Sequence, residues 1–514
     1  MPGRSRMARH YLLGADLGSG AVKLTLLSSE GQVVASAVKE YPTYYPEVAW
    51  SEQDPEDWYR TFKDTFQEVI AKAGINSRDI LAIAPDAATH TAVLMDENFH
   101  PLRRAILWTD QRSHKQTACL RNELDSEIFK TTYHHPDTMW TLPQNLWVRE
   151  NEPEIWKKTK RILFAKDYLR YRLTGEYATD WIEALGSMFF DAATKTWSKR
   201  LCDVMDFPVE NLPRVVAPTD VVGKVTAQAA KETGLAEGTL VVAGASDTAL
   251  EVFAAGAVRV GQSTVKLATA GRICVVTDKA YPHRLLINYY HVIPGKWYPG
   301  TGTRSCASSY RWYRDVFADS EKLQAEQSGK SSYHLLDAAA ANIPLGAEGL
   351  FFHPYLLGEF TPYVDPHLRG SFTGFSMKHT KAHCTRAVLE GVAFSLRDCL
   401  TVIQGLNMEM KEVRIIGGGA QSPLWQQIVA DVLGLQVAKA EVDDSSFGAA
   451  MLAGVGIGTF SNFEKTADQC IKLEKVIKPN YDNHKKYEKL FLLYKEIHDG
   501  LAPVYQKLAT TLEK

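Results

Sequence analysis

Residues 11–28 read YLLGADLGSGAVKLTLLS, two apolar runs joined by Gly18-Ser19-Gly20 in a turn that begins beside Asp16. Apolar runs flanking a short glycine turn predict a β-hairpin. In it Gly18 and Gly20 let the backbone bend and aim N–H groups at phosphate oxygens, Ser19 adds a hydroxyl, and Asp16 can hold a hydrated Mg²⁺. A plain hairpin with an exposed aspartate would look alike, so the rest of the chain decides. Residues 264–277, TVKLATAGRICVVT, repeat the pattern of strand, small-residue hydroxyl turn and strand, with Thr269 and Gly271 in the second turn. Two such turns, one in each half, predict two similar α/β domains gripping a nucleoside triphosphate from both sides.

A chain of 514 residues exceeds one ordinary core, and two domains are expected, 11–256 and 257–514, behind a flexible tail over 1–10. Hydrophobic residues at 45% and charged residues at 23% describe a folded globular protein. A net charge of −2 offers no attraction to nucleic acid or an anionic membrane, so neither is expected as a partner. The 7 cysteines are scattered without a C-x-x-C pair, which argues against a disulfide framework or zinc site. With no apolar run long enough to span a bilayer and no cleavage site after MPGRSRMARH, the cytoplasm is the expected compartment.

Along the chain, 33–41 predicts a third strand and hence an antiparallel meander. Asp54 and Pro55 then open a helix carrying Trp58, Phe62, Phe66, Val69, Ile70 and Ala73 on one face. A short buried strand is expected at 80–84, followed by a strand carrying His90. The apolar run 105–108 leads into Thr109, Asp110 and Arg112, polar groups at a strand edge that suit a cleft. A strand at 240–245 delivers Ser246-Asp247-Thr248 into a helix start, where an aspartate by itself is more often a cap than a catalyst. Farther on, a strand at 413–416 runs into Gly417-Gly418-Gly419 and a helix over 423–433, and three glycines there let a flat ligand approach the backbone. Residues 446–458 predict a tightly packed Ala/Gly-rich helix, and an amphipathic helix starts near Asn483. Gly329-Lys330-Ser331 resembles the end of a P-loop, but Gln324 stands where its first glycine belongs.

Together these segments resemble the FGGY carbohydrate kinases, most of all their xylulokinase branch. GADLGSGAVK is similar to the family's first phosphate loop and LATAG to the second; WSEQDPEDWY, ILWTDQR and KDYLRYRLTGEYATD are similar to xylulokinase segments. VVAGASDTAL resembles the stretch with the catalytic aspartate, PYLLGEFTP and FTGFSMKHTKAHCTRAVLEG the C-terminal signature, and GGGAQSPLWQQIVAD the adenosine motif. The resemblance implies two domains of the actin and hexokinase superfold, which is ribonuclease H-like, with a nucleotide and sugar cleft between them. It implies Asp247 as general base and sugar ligand, Thr89, His90 and Asp110 as further sugar contacts, and Asp16 as the carboxylate that organises Mg²⁺. ATP contacts fall on Gly18, Ser19, Gly20, Lys23, Thr269 and Gly271 for the phosphates, and on Gly418, Gly419 and Ser422 for the adenosine. The implied partners are ATP, a small sugar and a second copy of the chain in a homodimer. D-xylulose is the first sugar implied; alternatives are another ketose or polyol (ribulose, a pentitol, erythritol or glycerol), or a non-catalytic ATP-binding member of the superfold. Ala88-Thr89-His90-Thr91 departs from the Gln-Met-His-Gly usual in xylulokinases, and that departure touches the sugar site.

Overall fold

The computed structural model describes residues 10–512, so the tail expected over 1–10 lies, His10 aside, outside the described residues. Three strands, β1 (Tyr11–Leu17), β2 (Ala21–Ser28) and β3 (Val33–Glu40), form the expected antiparallel meander. β4 (Ile80–Ala87) runs parallel to β1. Beyond it, β6 (Leu240–Val242) runs parallel to β4, and β5 (Val221–Lys224) closes the edge antiparallel to β6. The second sheet has the same plan. Its meander is β7 (Gln262–Leu267), β8 (Gly271–Val275) and β9 (Gly300–Thr303). Two parallel strands follow, β10 (Glu412–Ile416) and β11 (Val437–Ala440), with an antiparallel edge at β12 (Leu473–Ile477). The repeat legible in two hairpins therefore extends to whole sheets, as the two-domain fold requires.

β1 carries no polar side chain before Asp16 other than the Tyr11 hydroxyl, because both of its faces are covered. Leu13 and Ala15 pack with Trp58, Phe62 and Phe66 of α1 (Pro55–Ala73), while Leu12 faces a different cluster on the opposite side. α1 starts where Asp54 accepts the Glu56 N–H at 3.0 Å and stops at Gly74, whose φ of 63° is left-handed. α2 (Asp247–Ala254) begins just past the end of the first sheet. α3 (Lys381–Gly405) and α4 (Pro423–Leu433) cover the second sheet, with Val388, Leu396 and Val429 against Val265, Ile273 and Ile415.

α5 (Ser445–Gly456) breaks the simple division at 256/257. It belongs to the second half by sequence, yet Phe447, Ala450 and Met451 share a core with Leu12, Leu27 and Ala82 of the first sheet. The approach is close enough that a Cβ on Gly14 would lie 1.8 Å from the Ser446 carbonyl oxygen, and one on Gly448 would lie 2.3 Å from that of Leu250. Two hydroxyls, Thr25 Oγ1 and Ser446 Oγ, meet across the contact at 2.7 Å. The last described element is a long helix, α6 (Tyr481–Leu512).

Some local expectations need correcting. His90 does not lie on a strand: the strand is Ala92–Met95, and His90 occupies the turn before it with φ 75°. The apolar run at 105–108 pairs only over Ala105–Ile106 before its chain turns away. No described helix is long and apolar enough to cross a membrane.

Candidate active site

The C-terminal ends of β1 and β4 and the N-terminus of α2 converge, as they do at the ligand crevice of open α/β sheets. β1 delivers Asp16, and the chain reverses through a Gly18 N–H to Ala21 carbonyl bond of 3.0 Å. Gly18 and Gly20 supply room in this turn, since neither adopts a left-handed conformation. A Cβ at Gly18 would sit 3.7 Å from both Asp16 carboxylate oxygens, and one at Gly20 would meet nothing within 4 Å. Ser19 and Gly20 form the exposed tip, held from beneath by Gln53 Nε2 donating to the Ser19 carbonyl at 2.8 Å.

The second hairpin repeats this exposure, with Thr269 and Ala270 at its open tip. Gly271 itself is buried and its N–H donates to Thr303 Oγ1 at 3.1 Å, so it is a packing position and Thr269 is what faces out. Where the first hairpin pairs Asp16 with Lys23 across the strands, the second pairs Lys266 with Arg272. Lys23 is paired in this structure: its Nζ lies 2.9 Å from Asp444, the N-cap of α5. Lys266 bonds Glu251 of α2.

Asp247 stands at the first turn of α2, with Oδ1 accepting the Thr248 N–H at 2.7 Å and the Thr89 hydroxyl at 3.3 Å. Burial pushes its carboxyl up to about 7, with the charge of Glu251 adding to the shift and that of Lys266 opposing it. His90, adjacent to Thr89, is fixed on three sides. Its N–H donates to Glu183 at 2.7 Å, its carbonyl accepts from the Thr141 hydroxyl at 2.7 Å, and its Nε2 meets the Tyr289 hydroxyl at 2.7 Å. Burial holds the imidazole well below its ordinary value and so neutral. Trp140, with its ring 4.5 Å from the imidazole, completes a wall that suits the apolar face of a sugar.

Other expected positions have structural duties. Asp110 is 1% exposed and both its oxygens are taken, by the Ser51 N–H at 2.7 Å and by Arg112 at 2.8 Å and 3.0 Å, so it braces a loop and offers nothing to a sugar. Ser422 caps α4 by accepting the Trp425 N–H at 3.1 Å. Of the three glycines, Gly417 makes the turn with φ 89°, Gly419 would strike Leu267 and Trp425 with any Cβ, and Gly418 is open. Gly418 is therefore the face available to a flat ring.

Sequence reasoning missed Asp86, Lys266, Arg272 and Tyr289. Two buried strands, GADL and APDA, each carry an aspartate one residue before the end, but only their register shows that the two are neighbours. The signal for Lys266 was the repeat itself, since TVKL overlays GADL with lysine in place of Asp16. Asp86 pairs in register with Asp16, the two carboxyls lie within hydrogen-bonding reach of each other, and no N–H or hydroxyl donor reaches either oxygen of Asp86 or Oδ1 of Asp16. Such bare, buried carboxylate oxygens fit a Mg²⁺ that brings its own waters and phosphates. A cage of three or more His, Cys, Asp or Glu side chains is absent among the described residues. A surface cavity of about 940 Å³ lies at the opposite end of the strands, beside Ile80 and Leu240, away from all of these groups.

Residues 11–254 match the N-terminal domain of the FGGY family of carbohydrate kinases, and 257–457 match its C-terminal domain. The chain is 34% identical to the xylulose kinase of Bacillus subtilis (strain 168) over 491 residues, 95% of this chain and 96% of that protein. Among solved structures, the xylulose kinase of Rhodospirillum rubrum is similar with a TM-score of 0.87 at 29% identity, over 97% of this chain and all of that one. The gluconate kinase of Lactobacillus acidophilus is similar with a TM-score of 0.88 at 26% identity, over 97% of this chain.

Proposed function

This chain belongs to the FGGY family of carbohydrate kinases, and on that premise we propose that it phosphorylates a small sugar at a terminal hydroxyl, D-xylulose first, with MgATP as donor. The observation that carries this reading is the Thr89–Asp247 contact of 3.3 Å, which joins the segment beside His90 to a carboxylate fit to be a base. Asp247 takes the proton of the sugar hydroxyl as that oxygen forms its bond to the γ-phosphorus; the bond to the β–γ bridging oxygen breaks and ADP leaves. Thr248 N–H and Thr89 orient the carboxylate, and His90, Trp140 and Tyr289 hold the sugar against it. The exposed tips at Ser19–Gly20 and Thr269–Ala270 take the phosphates, and Gly418 packs on the adenosine. Mg²⁺, when bound, neutralises charge on the transferring phosphates, with Asp16 to hold it. Positioning and charge do most of the work in such a transfer.

A base of this kind acts when deprotonated, so kcat/KM for the sugar is expected to be full above pH ~7 and to fall as pH drops through that value. The groups around Asp247 are Thr89, Thr248, Glu251, Lys266, Asp16 and Asp86; Lys266 is the one cation among them and lowers its pKa, as does the hydrogen bond from the Thr248 N–H. Lys266→Met is therefore expected to move the acid limb to higher pH. A limb that stays in place in that variant would remove Asp247 as its source.

One observation favours a second reading. Arg272 lies with its guanidinium 5.5 Å from the Tyr289 ring and 5.7 Å from that of Tyr298, and no acceptor reaches its buried Nε or Nη2. An unpaired guanidinium beside the sugar wall suits a carboxylate, and one similar structure is a gluconate kinase. The test is kcat/KM, by ADP release, over D-xylulose, D- and L-ribulose, L-xylulose, glycerol, erythritol, pentitols and D-gluconate. D-xylulose is expected to lead by at least about tenfold, or roughly 1.4 kcal/mol of transition-state preference. A lead for gluconate supports the second reading, and no sugar-dependent turnover at all would leave a non-catalytic ATP-binding protein.

A further inference from the structure

We propose that Asp86 is the second protein carboxylate on the divalent cation that travels with the nucleotide, so that the cation is held between two adjacent strands and not by Asp16 alone. The inference rests on the kinase reading for its ligand and on independent geometry for its site. β1 and β4 run parallel with Asp16 opposite Asp86, which puts both side chains on one face, about 5 Å apart along the hydrogen-bonding direction. On its other side Asp86 pairs with Ala245, two residues before Asp247. It thus stands between the phosphate-turn aspartate and the base.

Three features set it apart from a packed structural acid. It is 0% exposed, no N–H or hydroxyl donor reaches either of its oxygens, and its side-chain hydrogen-bonding neighbour is the carboxyl of Asp16. The charged groups that act on it most, Asp16, Asp247 and Asp444, are acidic like itself. The neighbouring cations are already committed, Lys23 to Asp444 and Lys266 to Glu251. A buried carboxylate left in that state is costly, and the cost is met by a proton or by a cation. A single shared proton would satisfy one oxygen of each acid and leave others bare. A six-coordinate cation takes one oxygen from each and completes its shell with water and phosphate. The pair also opens the right way, because Asp16 is half-buried just below the exposed Ser19–Gly20 tip, while Asp86 closes the floor.

The test is Mn²⁺ binding, followed by the paramagnetic resonance signal of free Mn²⁺, to full-length wild type, Asp86→Asn, Asp86→Ser and Asp16→Asn with a non-hydrolysable ATP analogue. Both Asp86 variants are expected to bind Mn²⁺ at least about tenfold more weakly, with affinity for the cation-free analogue unchanged. Their melting temperature without cation should equal or exceed that of wild type, because a bare buried charge is gone. Two variants of different size guard against misfolding of either one. Weakening in Asp16→Asn alone, with both Asp86 variants within about twofold of wild type, would overturn the proposal. Because the readout needs no sugar, its failure is separable from that of the kinase reading.

Discussion

Asp247→Asn is expected to yield a folded protein that binds nucleotide normally and phosphorylates sugar about 10²- to 10⁴-fold more slowly, a loss of roughly 3 to 5.5 kcal/mol of transition-state stabilisation. Asparagine keeps the acceptor for the Thr248 N–H and the Thr89 hydroxyl, so the first turn of α2 and its contact with the sugar segment persist. What it loses is the ability to take a proton. The variant also removes one negative charge from a crowd that includes Glu251 and Asp16, so its fold is not at risk. The measurement is sugar-dependent ADP release alongside nucleotide affinity. Turnover within a few-fold of wild type, with the acid limb still present, would strip Asp247 of its role.

Gly14→Ala is expected to be as damaging to stability as Asp247→Asn is to rate. A single methyl there would stand 1.8 Å from the Ser446 carbonyl oxygen and 2.5 Å from the Ala450 nitrogen. Both neighbours are helix backbone, which cannot swing aside as a side chain does, so α5 must lift from the sheet and uncover its core. The expected cost is more than about 4 kcal/mol, at the upper end for one substitution. Gly20→Ala is the matched control: its Cβ meets nothing within 4 Å, and its stability should stay within about 0.5 kcal/mol of wild type. Denaturant midpoints for the two variants test the pair. A Gly14→Ala protein as stable as the control would mean that α5 does not pack on β1 this way.

Local pattern carried much of the fold. The spacing of Trp58, Phe62 and Phe66 behind Asp54-Pro55 located α1, and the paired hairpins located both sheets, because amphipathic period and turn chemistry are local properties. The position of Asp247, proposed above as the base, was legible once it was read between the two turns. What was not legible depended on register and on distance along the chain. Asp86 became informative only when β4 was laid beside β1, and Tyr289 only when a segment of the second half was found against His90. Asp110 misled for the converse reason: a carboxylate at a strand edge looks available until a neighbour such as Arg112 is seen to occupy it. The ion pair of Lys23 was hidden similarly, because its partner Asp444 lies more than four hundred positions away.

That α5 packs on the first sheet while its sequence lies in the second half also bears on how relatives of this protein can be recombined. A chimera joined at 256/257 takes Gly14 and Thr25 from one parent and Ser446 and Ala450 from the other, although these residues touch. Any parent with a bulkier residue at either side of that seam makes an incompatible hybrid, whatever the quality of its two sheets. The heritable cassette is a discontinuous one, the first half together with the helix that seals it. Segments 11–256 and 445–456 therefore have to be exchanged as one unit.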